Sequence, residues 1–186
     1  MPSNPTNLVN PQDTPSGAGV SPGPDHADRG AKELASYLND HLAGAAAGCR
    51  LAERLVRTVE DPSMKGMDLE VQRDRDALRR LMDDLGVAQS RVKQATAVVA
   101  ELASRAKLRL GSAGQDDLER LLGIEALALG VEGKLRLWRS LQAVRRSDSR
   151  LLAAPLDDLV RRAEQQLTTL EDLRLRTATA CLSGSA

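Results

Sequence analysis

Residues 33–56 read ELASYLNDHLAGAAAGCRLAERLV. Leu34, Leu38, Leu42, Ala45, Cys49, Ala52 and Val56 recur within it at spacings of three and four. At 3.6 residues per turn, positions three and four apart share a face, so these residues draw one apolar stripe along a helix. The stretch predicts a long amphipathic helix over about 30–60, stopped by Asp61-Pro62-Ser63.

The same period continues downstream. A second helix over 66–85 carries Met67, Val71, Leu78, Leu81 and Leu85, and Leu85-Gly86-Val87 reads as a glycine C-cap. Ser90 reads as the N-cap of a further helix over 91–109 with Val92, Ala95, Val99, Leu102 and Ala106 on one face. After Gly111-Ser112-Ala113-Gly114 comes a helix over 115–146. It is apolar almost all round at Leu121, Leu122, Ile124, Leu127, Leu129, Val131 and Leu135, which predicts deep burial among several neighbours. Pro155 opens a last helix over 155–181, striped by Leu156, Leu159, Ala163, Leu170 and Leu173.

No stretch alternates as a strand would. Short links make the first and last helix pairs antiparallel hairpins, while the middle link of about 30 residues is long enough to cross a bundle ~38 Å tall. The expected fold is all-α: an antiparallel four-helix bundle with one long helical crossover between its second and third long helices.

Residues 1–28 hold six of the eight prolines, among Ser, Asn, Gly and Asp. Such a segment buries too little to offset its ordering entropy, and a disordered tail is expected there, followed by one helical domain over 29–182. Acidic and basic residues balance at 26 each, so no global field draws nucleic acid or an anionic membrane. Tyr37 and Trp138 are the only aromatics, which leaves Leu, Ala and Val to build the core. Cys49 and Cys181 form no metal-ligand spacing, and no disulfide framework is expected. No apolar run reaches the roughly 18 residues of a membrane span, and no signal-peptide core follows the start, which predicts a cytoplasmic protein.

Several polar residues interrupt the stripes. Asp74 stands between Val71 and Leu78, Gln166 between Ala163 and Leu170, and Glu125 and Glu132 flank Leu129, with Lys134 close by. A buried carboxylate must be paired and hydrogen-bonded, so Glu70, Arg73, Asp74, Glu125, Glu132 and Gln166 are candidates for an internal network. Arg73, or another arginine, would supply its positive charge. Otherwise these residues sit at stripe edges and reach water. The arginine-rich runs at Arg75, Arg79-Arg80, Arg145-Arg146 and Arg161-Arg162 are flanked by acids and read as solvated helix faces. Gly44, Gly48, Gly123, Gly130 and Gly133 cost helix stability, and close packing would offset it. The first and third long helices are expected to cross tightly at Ala45, Gly48 and Gly130. The alternative is a small apolar pocket there.

Leu38-Asn39-Asp40-His41-Leu42-Ala43-Gly44 resembles the first-helix opening of ferritin-like proteins, and Leu127-Ala128-Leu129-Gly130-Val131-Glu132-Gly133 resembles their third helix. Residues 30–180 also resemble an uncharacterised group of actinobacterial ferritin-like proteins. The resemblance implies a bundle with a di-metal centre built from a Glu on two helices and Glu-x-x-His on the other two. In the matching register Ala45 and Gly130 stand where the lone glutamates belong. Glu70 is followed at i+3 by Arg73, and the last helix offers Ala163 and Gln166. The only histidines, His26 and His41, supply neither motif.

No catalytic residue, metal or cofactor is expected, because no nucleophile–base pair or phosphate-cradling loop is present. A non-enzymatic protein acting through association follows, most simply as a homodimer, without nucleic acid or membrane. The alternative is an unorthodox metal- or small-ligand-binding protein using Asp40, His41, Glu70, Asp74, Glu132 or Glu164.

Overall fold

The structure, a computed structural model, describes residues 24–89 and 115–183. Four long helices account for most of them: α1 (Pro24–Thr58), α2 (Met67–Asp84), α3 (Gln115–Val144) and α4 (Leu156–Leu182). No strand occurs among the described residues. The helix expected over 91–109 lies outside them, as does most of the expected tail.

Helix α1 begins at Pro24, inside the segment assigned to the tail. Proline suits the first turn, where its missing N–H leaves no hydrogen bond unmade and its φ is already helical. Between α1 and α2 a short 3-10 turn covers Pro62–Met64, and the Asp61 carboxylate accepts from the Ser63 backbone N–H at 2.9 Å. Gly66 enters α2 with φ 85°, and Gly86 leaves it with φ 68°. At that exit the Val87 N–H donates to Met82 O at 2.8 Å and Gly86 N–H to Asp83 O at 3.0 Å, which satisfies carbonyls that the helix end would leave unpaired. A second 3-10 turn, Ser149–Leu151, capped by Asp148, joins α3 to α4.

Contacts run between α1 and α2, α1 and α3, and α3 and α4. Tyr37 near the start of α1 meets Ser140 near the end of α3, whereas Arg54 near the end of α1 pairs with Glu119 near the start of α3. Helices α1 and α3 are therefore antiparallel. Arg150 donates to Leu85 O at the end of α2, and Arg176 late in α4 pairs with Asp61 before α2, which makes α2 and α4 antiparallel too.

One core runs through all four helices, including Leu38, Ala52, Met82, Ile124, Trp138, Leu156 and Leu170. The expected deep burial of α3 holds for only part of its surface. Leu121, Ile124, Leu127, Val131 and Leu135 are buried, but Leu122 is 38% and Leu129 63% exposed. Being apolar on every side says nothing about how many neighbours a helix has, and here α3 packs on α1 and α4 alone among the long helices with extensive contact.

Candidate functional site

The expected tight crossing at Ala45, Gly48 and Gly130 is absent. A Cβ built on Gly44, Gly130 or Gly133 would meet nothing within 4 Å, and one on Gly48 only Val71 Cγ1 at 3.9 Å. The close approach of α1 to α3 falls one end further on, at Gly123, where a Cβ would stand 2.9 Å from Leu55 Cδ2. Small residues clustered at the middle of the α1–α3 seam leave a cavity of about 420 Å³ instead. That size lies within the range of small-molecule sites.

Gly44, Ala45 and Gly48 from α1 and Gly130 and Gly133 from α3 line the cavity, with Val71 and Leu78 of α2 also in its wall. Tyr37, His41 and Trp138 also line it. The chain's only tyrosine, its only tryptophan and one of its two histidines thus line the same cavity. Tyr37 and His41 are one turn apart on α1 and meet edge to face, with ring centroids 4.6 Å apart. The Tyr37 hydroxyl donates to Ser140 Oγ at 3.3 Å. Trp138 is fully buried, and its indole Nε1 has no hydrogen-bond partner among the described residues. Desolvation pushes the His41 pKa below 6.5, with Asp40 opposing in part.

Asp74 and Lys134 separate this cavity from a polar cluster joining α2, α3 and α4. Asp74 and Gln166 are each 1% exposed. Lys134 donates to the Asp74 carboxylate and to Gln166 Oε1, Arg162 Nε donates to Asp74 Oδ1 at 2.6 Å, and Gln166 Nε2 donates to Glu70 Oε2 at 3.0 Å and Asp74 Oδ2 at 3.2 Å. Two carboxylates thus meet two cations across an amide that both donates and accepts. Burial pushes the Lys134 pKa below 10.5, against the pull of Asp74.

Of the six network candidates, Glu70, Asp74 and Gln166 come together and three do not. Arg73 is exposed and contributes nothing to the cluster. Glu125 faces Arg174 at 3.7 Å, and Glu132 pairs with Arg136 at 2.9 Å on the surface of α3. The positive charge comes from Lys134 and Arg162, and the reading of Arg162 as part of a solvated face is corrected: it reaches inward to Asp74. Its neighbour Arg161 does stay outside, on Asp158. Tyr37, Trp138 and Arg162 are not among the site residues that the sequence suggests. The available signal was the scarcity of aromatics, which makes the placing of the two present informative.

The groups named for a metal are scattered. Asp40 and His41 stand at the aromatic end of the cavity, Glu70 and Asp74 are in the cluster, and Glu132 and Glu164 pair with surface arginines. Among the described residues no three His, Cys, Asp or Glu side chains are grouped to hold a metal ion. The donor set does not suit a di-metal centre, since Ala45, Gly130 and Ala163 bring no ligand atom. Cys49 and Cys181 are free thiols. No described helix is long and apolar enough to cross a membrane. No protein-family model matches the chain, and neither a curated protein nor a solved structure matches it.

Proposed function

We propose that the chain is a ferritin-like four-helix bundle that has exchanged its di-metal centre for a ligand cavity, and that it binds a small apolar molecule there without catalysing a reaction. The helix directions support the fold. With α1 opposed to α3 and α2 opposed to α4, the end of α2 and the start of α3 lie at opposite ends of the bundle, as one long crossover requires. Four of the six ligand positions support the exchange. Ala45 and Gly130 border the cavity, while Glu70 and Gln166 hydrogen-bond each other.

The observation that carries the reading is an open cavity of about 420 Å³ lined by helix-interior glycines and by both of the chain's aromatics. A glycine inside a helix costs up to ~1 kcal/mol relative to alanine, and no close packing offsets that cost at Gly44 or Gly130. Space itself is then what these residues provide. N-phenylnaphthylamine, a neutral fluorophore excited by energy transfer from Trp138, tests it. Titration should give saturable emission that Ala45→Leu with Gly130→Leu abolishes. Saturable binding that survives this filling would refute the site.

A second reading, association through an outer face, is favoured by Leu122 and Leu129, two turns apart and exposed on α3. A homodimer formed this way would dissociate in sedimentation equilibrium on Leu129→Glu, and a sedimentation profile unchanged by that substitution would dismiss it.

A further inference from the structure

Charge around the cavity is already matched. Asp74 and Glu70 face Lys134, Arg162 and the Gln166 amide, and Arg75, the other cation in the wall, binds Asp76 through Nε and Nη2 at 3.1 and 2.9 Å. An anion entering would shed its water without meeting an unmatched cation. An ammonium would find only Asp40, which is exposed and so already solvated. Burying either charge costs far more than burying a hydroxyl or a carbonyl.

Two polar groups at the aromatic end are unmatched. His41 is half-buried in the wall and makes no hydrogen bond to any described residue. Trp138 Nε1 is the one buried side-chain nitrogen or oxygen without a partner among the described residues. Burial also favours the uncharged imidazole, which offers one N–H donor and one nitrogen acceptor. Away from that end, Gly48, Leu51, Val71, Ala126 and Leu127 give the wall apolar surface.

We propose that the cavity takes a neutral molecule with an apolar body and one hydroxyl or carbonyl oxygen, and that this oxygen hydrogen-bonds the His41 imidazole. The body then lies along Gly44, Gly48 and Gly130. This inference rests on the cavity being a binding site, and it adds the class of ligand and the residue that selects it.

Five compounds sharing one chain length separate the alternatives: decanol, decanone, decane, decanoate and decylamine, each competing with N-phenylnaphthylamine on the full chain. Decanol and decanone should displace the probe at concentrations about three- to tenfold below decane, the worth of one hydrogen bond. Decanoate and decylamine should trail decanol by about tenfold or more. In His41→Phe the advantage over decane should vanish while decane still competes. Nitrogen NMR of the wild-type histidines gives a second readout: decanol should shift His41 and leave His26, ~22 Å back along α1, unmoved. Decanoate binding best, equal binding of decane and decanol, or an unmoved His41 resonance would each overturn the inference with the binding site intact. Failure of the probe itself to bind would instead overturn the site.

Discussion

The glycines of the α1–α3 seam give the sharpest test of the cavity. Alanine stabilises a helix interior by about 0.8–1.0 kcal/mol over glycine where the added methyl meets no obstacle. At Gly44 and Gly130 the built Cβ has nothing within 4 Å, so each alanine should yield that full amount. The two sites stand on different helices and share no contact, so Gly44→Ala with Gly130→Ala should raise stability by about 2 kcal/mol. For a chain of this length that shifts the melting temperature by roughly 4–8 °C. Gly123 serves as the control. Its Cβ would stand 2.9 Å from Cδ2 of Leu55, which is 3% exposed and must shift to make room. A displaced rotamer costs about 0.5–1.5 kcal/mol, which cancels the helical gain. Urea titrations followed by circular dichroism would measure all three variants. If Gly44→Ala or Gly130→Ala destabilises by more than about 1 kcal/mol, the helices touch where the cavity should be, and the binding proposal falls with it.

Two further perturbations address the polar groups. Lys134→Met leaves the buried Asp74 facing Arg162 and an amide, and should cost about 3–5 kcal/mol. Adding Asp74→Leu and Gln166→Leu should recover most of it in the same urea titration, because a packed apolar patch can replace a buried ion pair; a triple variant no more stable than the single one would contradict this. Asp61, held at a pKa of about 2 by Ser63 and Arg176, contributes stability that is fully present above pH 3.8 and lost as the pH falls through 2. Its side chain is 24% exposed at a surface pair, so Asp61→Ala should cost only about 1 kcal/mol at pH 7. Melting temperatures from pH 5 to pH 2 should converge for the two proteins, and parallel curves would show that Asp61 plays no part.

The four long helices among the described residues were legible because packing of a helix requires only a stripe, and a stripe is a local property of the chain. Gly86 was readable as a stop for the same reason: a positive φ and two capping hydrogen bonds involve only its neighbours. Pro24 was misread because tail composition and a first-turn proline look alike until a helix follows. Which cation meets Asp74 was not legible at all. Arg73 is adjacent in the chain but turned outward by 100° per residue, whereas Arg162, 88 residues on, is brought in by the rotation of α4 against α2. Stripes fix which face is buried and leave open which residue stands opposite.

Glycine carries the same ambiguity in a more consequential form. A run of small residues on a helix permits close approach, but it permits a void equally well, and local sequence cannot separate the two. What decides is the spacing of the axes, set elsewhere in the bundle by larger side chains. Here Leu55 against Gly123 brings α1 and α3 together at one end, while Tyr37, packed on His41 and tied to Ser140, holds the other. Between these two contacts Gly44, Ala45, Gly48 and Gly130 are too small to fill the seam. The polar cluster behind Asp74 resists collapse from the far side, since moving Lys134 into the void would strip Asp74 of one of its two cations. Two arrangements thus divide the interior: an ion-paired amide joins α2, α3 and α4, and an open space separates α1 from α3.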